Sequence, residues 1–122
     1  MTVSELYEQI EGDYEAAKRV IMTDPMIARF IVRILDDPTY GKLEAAGESM
    51  DPAALFEAAH ALKGMTASLG LTKLSSLSSE ITEDYRPGKE RHMTNGQVKE
   101  KLESIRDLYG KTLEGVRAFA EQ

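Results

Sequence analysis

From Val98 to Phe119, the residues Val98, Leu102, Ile105, Tyr109, Thr112, Val116 and Phe119 recur at spacings that alternate between four and three. That rhythm turns one face of an α-helix toward a neighbour along its whole length; a pleated strand, with its period of two, cannot gather the same set. A helix from about Gln97 to Ala120 is therefore predicted, with this stripe as its packing face.

Proline punctuates the rest of the chain. Three of the four prolines follow aspartate, at Asp24-Pro25, Asp37-Pro38 and Asp51-Pro52. Aspartate caps helix N-termini, and proline suits the first helical position because its missing N–H would be unpaired there anyway. Each pair is read as a helix start. The predicted helices run from Pro25 with Ile27, Phe30, Ile31, Ile34 and Leu35 inward, from Pro38 to about Gly47, and from Pro52 to about Leu69, closed by Gly70. Another runs from Leu71 to about Tyr85 with Leu74, Leu77 and Ile81 inward. Upstream, Thr2 with Glu5 fits a capping box for a short helix to about Ile10, and Asp13 caps another to about Met22. The stretch Arg86 to Gly96 reads as a loop. No segment reads as a strand. The expected fold is all-α: an antiparallel four-helix bundle with short N-terminal helices. It forms one domain over 1–122, with 1–22 a helical extension and 25–120 the bundle.

Composition narrows the function. The chain has 122 residues and no cysteine, which excludes a thiol nucleophile and thiolate metal sites. Its two histidines, His60 and His92, are too few for a multi-histidine metal centre, and no metal site is expected. Fifteen basic against twenty-one acidic residues leave a charge of −6, contrary to nucleic-acid binding. No apolar run approaches the roughly 20 residues of a membrane span, and the acidic N-terminus does not resemble a signal peptide. A cytoplasmic monomer is expected.

The helix from Pro52 to Leu69 carries an unusual outer face. At about 100° per residue, Leu55, Ala58, Ala59, Leu62, Met65, Thr66 and Leu69 gather on one side, and His60 points away from them. Phe56, Lys63, Gly64 and Ala67 share the face of His60, and Glu57 flanks it. A solvated helix face normally carries long charged side chains. Here a phenylalanine, a glycine and alanines surround one lysine, and Gly64 costs about 1 kcal/mol relative to alanine. Such a strip suits docking, and the bare backbone at Gly64 lets another molecule come close to His60. For Phe56 an ordinary contact with the neighbouring short helix stands equally open. A convex face offers no pocket for acid–base catalysis, but nucleophilic attack by a largely uncharged imidazole needs none. A phosphoryl group accepted there would lie about one helical turn from the ammonium of Lys63. Thr66 and Ser68 have no base in sight. His92 sits in a basic loop without partners, and Glu80, Glu83 and Asp84 read as a solvated acidic face.

The run His60-Ala61-Leu62-Lys63-Gly64-Met65-Thr66-Ala67-Ser68-Leu69-Gly70 resembles the signature of histidine-containing phosphotransfer (HPt) domains, in which lysine and glycine follow the histidine at three and four residues. The resemblance extends over about Asp13 to Pro87, including Leu35-Asp36-Asp37-Pro38 and Leu71-Thr72-Lys73-Leu74. Met65 stands where the family usually has a small residue. The resemblance implies a four-helix bundle and a phosphocarrier between aspartates of receiver domains, in a response regulator or a hybrid sensor kinase. It implies His60 as phospho-acceptor through the ring nitrogen farther from the backbone, Lys63 as phosphate support, and Gly64 as the point of steric access. Phe56, Glu57 and Ala67 would meet the partner. No cofactor is implied on this chain; Mg²⁺ would sit on the partner receiver. Two other readings stand beside it. One is a helical adaptor that only binds. The other is a detached phospho-acceptor module of a histidine kinase, which would need an ATP-binding domain that this chain has no glycine-rich loop to build.

Overall fold

The computed structural model describes residues 1–122. Seven α-helices follow in order: α1 (Val3–Gln9), α2 (Tyr14–Ile21), α3 (Asp24–Val32), α4 (Thr39–Ser49), α5 (Pro52–Ser68), α6 (Thr72–Asp84) and α7 (Asn95–Ala120). A 3-10 turn over Arg33–Asp36 continues α3, and there is no strand. Side chains close four of the seven helix starts. Thr2 and Glu5 form a capping box on α1, Asp13 accepts from the Ala16 N–H on α2, and Thr94 with Gln97 forms a second box on α7. Each satisfies backbone donors that a helix leaves unpaired in its first turn.

The three Asp-Pro pairs differ from one another. Only Asp51 caps as predicted, its carboxylate accepting from the Ala54 N–H at 3.0 Å. At Asp24 the helix has already begun: Thr23 is the cap residue, and the Asp24 carboxylate instead accepts from the Tyr14 hydroxyl. Asp37 stays extended and bonds the N–H of Thr39 at 2.7 Å, so that Pro38 becomes the cap residue of α4. Aspartate before proline can serve a local turn as well as a cap, and tertiary partners choose between them. The helix predicted from Pro25 through Leu35 tightens to 3-10 geometry after Val32, and α4 runs past Gly47 to Ser49.

Helices α4, α5, α6 and α7 touch in a closed ring, α4 on α5, α5 on α6, α6 on α7 and α7 back on α4, with α5 against α6 the most extensive contact. Short connections after α4 and α5 make these neighbours antiparallel. Around them, α2 packs on α5, and α1 and α3 pack on α7. One continuous core runs from Leu6, Tyr7 and Ile10 of α1 and Ile27 and Ile31 of α3 through Leu55 and Leu62 of α5 to Ile105 and Val116 of α7. Residues 1–22 thus share their core with the bundle. On α7, Val98, Ile105, Tyr109, Thr112 and Val116 of the four–three stripe are buried, and Leu102 and Phe119 pack against the core's edge. Burying a Leu or Ile side chain fully contributes about 1.5–3 kcal/mol, so this stripe is a main stabiliser of the fold.

Asp84 corrects the sequence reading. It does not belong to a solvated acidic face; it is buried at 6% exposure. Its carboxylate accepts from the backbone N–H groups of His92 and Met93 at 2.8 and 3.1 Å and from Arg91 Nε at 3.0 Å. The loop between α6 and α7 is folded over this one carboxylate, which satisfies two backbone donors that the loop would otherwise leave open.

Candidate functional site on the outer face of α5

Helix α5 forms because Asp51 caps it, Pro52 fits its first turn and alanines fill much of its length. Its inner side, Leu55, Ala58, Ala59, Leu62 and Thr66, is buried, and the Thr66 hydroxyl donates to the Leu62 carbonyl at 2.7 Å. Met65 is half-buried against the core. The helix stops at Gly70, whose φ of +72° favours glycine. A Cβ there would lie 2.5 Å from the Asp13 carbonyl and 2.8 Å from the Ala17 N, so the tight joint with α2 needs glycine as well. The N–H of Leu71 returns to the Thr66 carbonyl at 2.9 Å and that of Gly70 to Ala67 at 3.1 Å, a Schellman closure. Tyr7 adds a hydroxyl bond to the Leu69 carbonyl at 2.6 Å. The C-terminal end of α5 is therefore fixed from three sides, and so is the phase of its outer face.

That face carries His60, exposed, with Glu57, Ala61, Gly64, Ala67 and Ser68 also exposed. A Cβ built on Gly64 meets nothing within 4 Å, so the glycine lies open. Phe56 is half-buried, and its ring lies along the imidazole of His60, with centroids 5.7 Å apart and planes 15° apart. The Arg86 guanidinium, just past the end of α6, sits 5.5 Å from the same ring. Arg86 is itself held by Glu83 through two bonds, Nε at 3.1 Å and Nη2 at 2.8 Å. Lys89 stands 3.7 Å from the same carboxylate. The hydrogen bonds from Arg86 hold the Glu83 carboxyl down to about 2 against the opposing cost of desolvation, with the charges of Arg86, Lys89 and Lys63 adding to the effect.

Lys63 is half-buried at the mouth of an open groove between α5 and α6 lined also by Ala67, Thr72, Ser75, Ser79 and Glu83. No carboxylate comes within ion-pair distance of its ammonium: the chain's ion pairs all involve other cations. The site thus offers an exposed imidazole, an unpaired ammonium three residues on, and a bare backbone beside them. His92 lies elsewhere, exposed in the loop that Asp84 anchors.

Two residues of this neighbourhood, Glu83 and Arg86, were not assigned to it from the sequence. The signal that places them is the tight turn at Leu69–Leu71: in an antiparallel hairpin, counting equal distances back from the turn sets the end of α6 beside Phe56. No group of three or more histidine, aspartate or glutamate side chains is disposed to hold a metal ion.

Comparison with known proteins gives one match. The family model of the Hpt domain covers residues 26–108, which includes α4, α5, α6 and the first half of α7. No curated protein and no solved structure matches the chain. The family match spans most of the chain and contains the whole face around His60 within a four-helix bundle; the chain belongs to the Hpt domain family, the histidine phosphotransfer modules of two-component signalling.

Proposed function

We propose that this chain is a phosphocarrier that takes a phosphoryl group from the aspartate of one receiver domain onto His60 and delivers it to another. The observation that carries this reading is the exposed imidazole with the unpaired Lys63 and the open Gly64 on the same helix face. In the transfer, the lone pair of the His60 Nε2 attacks phosphorus, and the bond from phosphorus to the aspartyl oxygen breaks. The donor's carboxylate leaves with that electron pair. The ring, transiently cationic, loses its Nδ1 proton to water. Lys63 lies where it can pair with the new phosphate charge. Gly64 leaves the two backbones free to approach until the reacting atoms stand about 3–3.5 Å apart. Glu57, Phe56 and Ala67 rim the docking face. The Mg²⁺ that transfer requires belongs to the receiver, and the chain acts as a monomeric carrier rather than as an enzyme with its own ATP site.

The test is incubation with a phosphorylated receiver domain and Mg²⁺, followed by acid and base treatment of the labelled chain. A phosphoramidate is expected: label lost in acid and retained in base. Acid-stable label, the mark of a serine or threonine ester, would contradict the assignment.

A further inference from the structure

We infer that the corner between α2 and α3 is a peripheral anchor for an anionic lipid surface. The inference does not depend on the phosphocarrier reading of His60.

From Lys18 to Arg33 the chain holds four cations, Lys18, Arg19, Arg29 and Arg33, against one acid, Asp24. The remaining residues total eleven cations and twenty acids, so a basic segment stands on an acidic molecule. All four cations are exposed, and none has a carboxylate within ion-pair distance. The one acid is occupied: the Tyr14 hydroxyl donates to the Asp24 carboxylate and ties α2 to α3 across their turn.

The same corner gathers the apolar exposure. The chain leaves four large apolar side chains exposed, and three of them, Val20 at 61%, Met22 at 72% and Met26 at 42%, lie within one turn of the corner; Met1 is the fourth. Met22 joins the two helices with φ at +82°, a conformation unfavourable for a residue with a side chain. On α3, Met26, Arg29, Phe30 and Arg33 share one side at 100° per residue, and the Arg33 guanidinium sits 5.0 Å from the half-buried Phe30 ring. Apolar tips flanked by free cations suit a headgroup layer: the methionine ends enter the acyl boundary while guanidinium and ammonium groups stay among the phosphates. A protein partner seats on a central, desolvated aromatic or arginine anchor in a pocket. A convex corner of thin, flexible side chains has no such centre. Anionic lipid supplies the charge that these four cations lack, and it repels the acidic remainder of the chain, which points the corner at the surface.

Flotation of the full chain with vesicles tests this, comparing phosphatidylcholine alone with phosphatidylcholine carrying about one-third phosphatidylserine. At low salt the chain is expected to float with the anionic vesicles only, and to be released in about 0.5 M salt. R29Q/R33Q is expected to weaken binding roughly thirtyfold, the worth of two cations near an anionic surface. M22N/M26Q should weaken it roughly tenfold through lost insertion, and asparagine suits the left-handed backbone at position 22. K99Q/R106Q removes two exposed, unpaired cations of α7, leaves the same net charge as R29Q/R33Q, and should float as wild type does. The chain has no tryptophan, so Met26→Trp gives a single reporter. Its emission should shift to the blue on anionic vesicles and be quenched by brominated acyl chains. Equal flotation with both vesicles, or equal losses in R29Q/R33Q and K99Q/R106Q, would overturn the inference, and so would a Met26→Trp emission that does not move. No flotation, with receiver binding weakened by M22N/M26Q, would overturn it too and give the corner to a protein partner.

Discussion

The ring of Phe56 lies nearly parallel to the imidazole of His60 one helical turn away, with centroids 5.7 Å apart and planes 15° apart. The stack limits the rotamers open to His60 while leaving its outer edge in solvent. It also explains an aromatic residue on a face that is otherwise small and exposed.

Removing that stack separates ordering from chemistry. Phe56→Ala is expected to leave the fold intact, because Phe56 is only half-buried, and to cost about 1–2 kcal/mol, less than the 3–5 of a fully buried phenylalanine. Phosphoryl transfer should slow several-fold as His60 samples more rotamers. Urea unfolding and single-turnover transfer measure the two effects; a transfer rate equal to wild type would show that the ring packs but does not position.

Gly64→Leu is expected to move stability and transfer in opposite directions. The added side chain meets nothing within 4 Å of its Cβ, and leucine is the better helix former, so stability should hold or rise by up to ~1 kcal/mol. Transfer should fall sharply, since small displacements of reacting groups are costly. Glu114→Ala on the exposed side of α7 is the control and should change neither. A variant that folds and transfers at the original rate would remove this face as the docking surface.

Asp84→Ala is expected to destabilise the chain by about 2–3 kcal/mol, because it strips a buried carboxylate from two backbone donors and one guanidinium. Amide exchange at His92 and Met93 should accelerate most. Burial pushes the Asp84 carboxyl up, but the bonds from His92, Arg91 and Met93 outweigh it and hold it below its ordinary 3.8. A carboxyl depressed in the folded state contributes stability above its ordinary value and loses it as pH falls through the folded value. The loop should therefore loosen only below pH 3.8.

Glu11 provides a second titration. It joins Lys111 and Lys73, at 2.7 and 2.6 Å, and so ties the end of α1 to α7 and α6. The hydrogen bonds from Lys111 and then Lys73 hold its carboxyl down to about 2, from an ordinary 4.5. By the same sign rule, its contribution is complete above 4.5 and is lost as pH falls through about 2. All three side chains are well exposed, so salt should screen the effect. Carboxyl carbon shifts followed by NMR should show a midpoint near 2 at low salt that climbs in 1 M salt; a midpoint near 4.5 at low salt would mean that the bridge does not form in solution.

Local signals made most of this fold readable. The stripe on α7, the capping box at Thr2 and the Asp51-Pro52 start each depend on residues within one or two turns, and all three lie in the structure as the sequence arranges them, whereas the Thr94 box that starts α7 falls in the stretch read as loop. The phase of α5 was readable for the same reason, and with it the exposure of His60 and Gly64. What could not be read depends on residues far apart. Asp24 turns to Tyr14 of another helix, Asp84 is buried by a loop that folds back on it, and Arg86 reaches Phe56 across the hairpin. In each case a charged residue followed by loop or proline looks solvated until its partner is known.

The most direct measurement is transfer from a phosphorylated receiver to wild type, His60→Gln and His92→Gln, with helical content followed by circular dichroism. Equal acid-labile labelling of wild type and His92→Gln is expected, with none on a fully helical His60→Gln; label that persists on His60→Gln would contradict the assignment of His60 as the acceptor.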